Sequence, residues 1–136
     1  MKVENQVHPN PEQIAEFLRG PDAPVVMVNL LKFRETAQYA DGRETSLSGF
    51  DAYQLYATEM RKLVEAAGGR FLFAGAVEGL LLGDVEEAWD VVGLVEYPSP
   101  KTLVEIASTP GFAEIEVHRE AGLAGQLNIT TRGQGL

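Results

Sequence analysis

Residues 25–33 read Val-Val-Met-Val-Asn-Leu-Leu-Lys-Phe, directly after Pro24. A run this short, rich in β-branched residues and without helix caps, is a strand. Strand neighbours point to opposite faces. Val25, Met27, Leu31 and Phe33 therefore share one side, and Val26, Val28 and Leu30 share the other. Both sides are apolar, so the sheet that holds this strand has to be covered twice. Its own helices cover one face. A second copy of the chain is the expected cover for the other, giving a homodimer joined sheet to sheet. The alternative is a monomer whose N-terminal helix lies over that face.

The rest of the chain supplies the helices. Asn10-Pro11-Glu12-Gln13 is a capping-box start with proline at the first helical position, which predicts a helix over 11–19, stopped by Gly20-Pro21. Arg34 to Ser48 is polar and long for a connection, a candidate binding loop or lid. Ser48 and Asp51 then open an amphipathic helix with Tyr53, Tyr56, Met60, Leu63, Val64 and Ala67 on its apolar stripe, ended by Gly68-Gly69. Strands are expected from Arg70 to Gly79 and from Trp89 to Tyr97. Ser99-Pro100 and Thr109-Pro110 each start a helix, the second closed by Gly122 and Gly125. A last strand is expected over Leu127 to Thr131, followed by a mobile tail at 132–136.

Without the leading helix the order is β-α-β-β-α-β, the split βαβ or ferredoxin-like arrangement of an α+β protein, in one domain over 1–136. Several short motifs occur in this order: Val28-Asn29-Leu30-Leu31-Lys32-Phe33, Tyr53-Gln54-Leu55-Tyr56, Gly68-Gly69-Arg70, Trp89-Asp90, Glu96-Tyr97-Pro98-Ser99 and His118-Arg119. Together they resemble the family known as domain of unknown function 1330, in the dimeric α+β barrel superfamily. The resemblance spans about Val25 to Leu123. It implies a ferredoxin-like protomer, a dimer with paired sheets and a pocket between sheet and helices. The superfamily includes cofactor-independent monooxygenases, muconolactone isomerase-like enzymes, chlorite dismutase-like haem proteins and stress-response proteins. The family itself has no settled activity to lend.

Charge and composition narrow the function. Eleven Lys and Arg against twenty Asp and Glu leave a net charge of −9, with no basic cluster. That argues against nucleic acid and anionic membrane surfaces as partners. No cysteine is present, which removes disulfides, thiolate metal sites and thiol nucleophiles and fits a cytoplasmic protein. No signal-peptide core is expected at the start, and no apolar run reaches the ~20 residues a membrane helix needs. Glycine-rich phosphate loops, a Gly-x-Ser-x-Gly elbow and a pair of histidines at metal-ligand spacing are all missing from the sequence. No cofactor and no metal are expected.

The candidate chemistry rests on scattered residues. Asn29 is an amide in the middle of an apolar strand, where it either orients a ligand or is satisfied by a backbone group. His118 is one of two histidines and either a pocket base or a surface residue of its helix. These two are the catalytic candidates. Arg119 either pairs with Glu116 or Glu120 or turns inward to a ligand carboxylate. Helix neighbours diverge by about 100°, so His118 and Arg119 are not expected to serve one site equally. Tyr53, Tyr56, Trp89, Tyr97 and Phe112 either line a pocket or pack the core, and Arg70 binds either an anionic ligand or a neighbouring carboxylate. Two functions follow. One is a cofactor-free enzyme, monooxygenase- or isomerase-like, acting on a small aromatic or carbonyl compound. The other is a non-catalytic dimeric module for metabolite binding or stress response.

Overall fold

The computed structural model describes residues 1–133. Its elements are α1 (Pro11–Leu18), β1 (Val25–Phe33), α2 (Gly49–Ala66), β2 (Arg70–Ala76), β3 (Val91–Tyr97), α3 (Pro100–Ala107), α4 (Pro110–Gly122) and β4 (Leu123–Thr131). The sheet runs β2-β3-β1-β4, and all its pairings are antiparallel. This is the ferredoxin-like α+β fold expected from the order of elements.

The helix starts form where capping residues stand. The Asn10 Oδ1 accepts from Gln13 N at 2.8 Å while Gln13 Oε1 accepts from Asn10 N at 3.0 Å. The Ser48, Ser99 and Thr109 hydroxyls each accept an amide three residues on. Each satisfies a donor that the first helical turn leaves without a partner.

Odd-numbered residues of β1 face the helices. Val25, Met27, Val95 and Tyr97 form the main core with Tyr56, Met60 and Val64 of α2 and Ile106 of α3. Phe17 of α1 packs against the rim of this core, on the helix side. The N-terminal helix therefore does not cover the opposite face of the sheet. On that face Val26, Val28 and Leu30 are only partly buried, Phe73 is 57% exposed and Ile129 is 44% exposed.

Several boundaries differ from expectation. β2 ends at Ala76 and β3 begins at Val91, and a register shift between Phe71 and Phe73 turns Phe73 out of the core. Gly125 does not close α4. It lies inside β4, because α4 passes straight into the strand through Leu123. The segment Arg34–Ser48 is fastened rather than free. Thr36 bridges Ser48, Gln38 N donates to Ala121 O, and Ala37 and Tyr39 are buried against Ala52 and Ala121. At the start of the expected tail, the Arg132 guanidinium donates to the carbonyls of Pro21, Ala23 and Pro24. Residues 134–136 of that expected tail lie outside the described residues. Among the described residues no helix is long and apolar enough to cross a membrane.

Candidate functional site

Asn29 sits on the helix side of β1, opposite Asn128 of β4. Its Nδ2 donates weakly to Met27 O and Gly93 O, both at 3.3 Å, and its Oδ1 accepts from Gln126 Nε2 at 2.8 Å. The Gln126 side chain is buried, and its Oε1 in turn accepts from Arg119 at 2.7 Å. A line of side chains thus runs from mid-sheet to α4: Asn29, Gln126, Arg119. The register puts Asn128 and Thr130 on the same face as Asn29, and both are exposed. The polar floor is therefore open to solvent along the β4 edge.

Aromatic residues pack between the sheet and helices α2 and α4. Tyr53 stacks obliquely on Tyr56 with ring centroids 5.3 Å apart, and Phe112 meets Tyr56 edge-on at 6.2 Å. Burial raises the Tyr53 phenol to about 12, against the opposing pull of the Arg119 charge. Burial likewise holds Tyr56 and Tyr97 well above the ordinary phenol value. All three stay protonated at neutral pH and act as donors. Among the described residues none of these hydroxyls has a hydrogen-bond partner, and Arg34 Nε is the one fully buried side-chain polar atom left unpaired. Tyr56 and Tyr97 belong to the buried main core, and Tyr53 packs against it.

Arg119 has no carboxylate partner among the described residues, although two glutamates flank it within its own helix. A partly buried guanidinium whose protein acceptor is a neutral amide keeps donors free for an anion.

His118 lies elsewhere. Its Nδ1 is 2.6 Å from the Tyr39 hydroxyl, and the rings meet edge-on. Burial, and then the charge of Arg43, holds the imidazole below its ordinary value. Arg43 stands 4.5 Å over the Tyr39 ring and is held there by Asp41. The two catalytic candidates are thus not brought together: His118 faces the Arg34–Ser48 segment, and Asn29 faces Gln126.

Two more candidates point away from this site. Arg70 is paired with Glu96 at 2.9 Å on the face of the sheet opposite the helices. Trp89 Nε1 donates to Asn5 Oδ1 at 2.8 Å, tying down the N-terminal segment. Tyr53, Tyr56, Tyr97 and Phe112 pack in or against the main core, with the Arg119 charge acting on Tyr53 and Tyr56, and Arg119 reaches Asn29 through Gln126. The sequence reading missed Gln126, although the alternation of polar residues at 126, 128 and 130 was a usable signal. It also missed Tyr39 as the partner of His118. Among the described residues one group has a metal-type donor set, His8 with Glu116 and Glu120.

Comparison with known proteins agrees with this fold. The family model described as "Domain of unknown function (DUF1330)" matches residues 43–131. The crystal structure of RPA0582, a protein of unknown function from Rhodopseudomonas palustris, is similar over 98% of this chain and 100% of its own, with a TM-score of 0.87 and 29% identity. Methylated RPA0582 aligns at 32% identity, covering 98% of each chain with a TM-score of 0.87. A DABB family protein with a ferredoxin-like fold from Mesorhizobium loti aligns at 10% identity over 82% of this chain and 98% of its own, with a TM-score of 0.51, a likeness of fold alone. No curated protein matches the chain.

Proposed function

Taking as premise that this chain belongs to the DUF1330 family, we propose that it binds a small carboxylate or carbonyl compound, preferably aromatic, between its sheet and helices α2 and α4. The observation that carries this reading is Arg119, a partly buried cation with no carboxylate partner among the described residues. It stands beside phenols too basic to supply charge and at the end of an amide relay that fixes its direction. An anionic or carbonyl oxygen is the missing partner. Apolar ligand surface would rest against Phe112 and Tyr56.

The test is a thermal-shift screen of benzoates, cinnamates and 2-keto acids on the wild type and on Arg119→Met. A ligand at a hundred times its Kd stabilises the native state by about 2.7 kcal/mol, roughly an 8 °C rise for a domain of this size. The expected result is such a rise in the wild type, absent in Arg119→Met. No response from any carboxylate, or an equal response in the variant, overturns the reading.

The second reading is a cofactor-free enzyme acting on the same compounds. The convergence of a guanidinium with protonated phenols favours it, since such donors stabilise an enolate or oxyanion. His118 faces away and cannot be its base without a change in the Arg34–Ser48 segment. Turnover that survives His118→Ala and is lost in Arg119→Met is the outcome this reading expects.

The proposed functional unit is a homodimer joined through the outer sheet face. Val26, Val28, Leu30, Phe73 and Ile129 are apolar and share the face of the sheet away from the helices, with Phe73 and Ile129 exposed. Sedimentation is expected to show a dimer at micromolar concentration and a monomer for Val28→Asp. A monomeric wild type overturns this part of the proposal and leaves the ligand site standing.

A further inference from the structure

On α4, Glu116 and Glu120 stand one helical turn apart, both partly buried. Two like charges in that relation destabilise a helix by a few tenths of a kcal/mol. Among the described residues neither has a Lys or Arg partner. Their neighbour is His8, with Nε2 3.0 Å from Glu120 and Nδ1 3.8 Å from Glu116. His8 is carried there because the N-terminal segment is pinned to the sheet edge two residues earlier, where Gln6 N donates to Gln126 O.

One ligand atom from each of the three residues lies within 4.8 Å of the others. Donors about 2.0 Å from a tetrahedral ion are about 3.3 Å apart. Partly exposed side chains close that difference by rotation. A shallow cleft of about 370 Å³ opens beside the group, lined by His8, Glu120, Arg34, Gln38 and Tyr39 among others. An imidazole and two carboxylates, with no Lys or Arg partner among the described residues, make a metal-type donor set beside this cleft.

We propose that His8, Glu116 and Glu120 form a binding site for a divalent first-row transition-metal ion, with its open coordination position facing this cleft. Imidazole nitrogen with two carboxylates suits such an ion, Zn²⁺ among them, better than Mg²⁺ or Ca²⁺, which take oxygen ligands. The metal would clamp the N-terminal segment onto α4. The three ligands are residues that the site proposed at Arg119 does not use.

Isothermal titration of the chelator-treated full chain with ZnCl₂ tests it. The wild type is expected to bind one equivalent with a Kd of about 10 µM or tighter. His8→Ala and Glu120→Gln are each expected to weaken this at least about tenfold, as loss of a ligand does. His118→Ala, which removes the other histidine, leaves it unchanged. Both His8 and Glu120 are partly or fully exposed, so the variants keep the fold. Absence of saturable 1:1 binding, binding indifferent to His8→Ala, or equal affinity for MgCl₂ overturns the proposal. In the first two cases the cluster is an ordinary histidine–carboxylate contact.

Discussion

Gly122→Ala is expected to lower the melting temperature by roughly 10 °C. The end of α4 and the start of α2 cross backbone to backbone. A methyl group at Gly122 would collide with the Gly49 carbonyl and lie 3.0 Å from Tyr53 N. The neighbours are not free to yield. Gly122 O accepts from Arg34 N at 2.8 Å, and Gly49 N donates to Arg34 O at 3.0 Å. One methyl group therefore pushes on two helices and the end of β1 together. Overpacking of this kind costs about 3 kcal/mol, and each kcal/mol is worth roughly 3 °C in a chain of this length. Backbone strain is not the cause, because Gly122 does not have a positive φ. Gly79→Ala, where a methyl group meets open space, is the control and is expected to melt with the wild type. Calorimetry of the three proteins decides it. A Gly122→Ala melting point within about 2 °C of the wild type would show the crossing to be compliant.

That crossing illustrates what the sequence could and could not reveal. Local signals were legible because they are read over a few residues. Asn10, Ser48, Ser99 and Thr109 mark helix starts, and the parity of 25–33 divides β1 between its two faces. Gly122 and Gly125 looked alike as helix terminators, and only the approach of Gly49 tells them apart. The site follows the same logic. Asn29 stood out as a polar residue in an apolar strand, but its partner Gln126 is assigned by the β1–β4 register, a long-range fact. Arg70 was a candidate until the β2–β3 register set Glu96 opposite it. His118 and Arg119 were expected to diverge and do. Which of them faces inward was decided by the Arg34–Ser48 segment, whose polar sequence has no period from which to read a face. His8 meets Glu116 and Glu120 across most of the chain, so no spacing rule could have joined them.

The protein is expected to lose stability steeply in alkali, through the tyrosines of the proposed ligand site. Unfolded tyrosine titrates near pH 10, whereas folded Tyr53 titrates at about 12 and Tyr56 and Tyr97 are raised as well, all chiefly by burial. The folded state thus holds these protons longer than the unfolded chain does. For groups raised in this way the stabilisation is complete below about pH 10 and is lost as the pH climbs through the folded value. For Tyr53 the difference corresponds to roughly 3 kcal/mol, a sizeable share of the 5–15 kcal/mol typical of a domain. The urea midpoint is expected to stay flat between about pH 7 and 9 and to fall sharply between about 10 and 12. The double variant Tyr53→Phe, Tyr56→Phe should flatten that fall, at little cost near neutrality because among the described residues neither hydroxyl has a hydrogen-bond partner to lose. Phenolate absorbance gives an independent check. If Tyr53 ionised at its ordinary value while the chain remained folded, burial would not be controlling it. The aromatic wall beside Arg119 would then be wet, and the site would lose the protonated donors that the carboxylate or carbonyl reading requires.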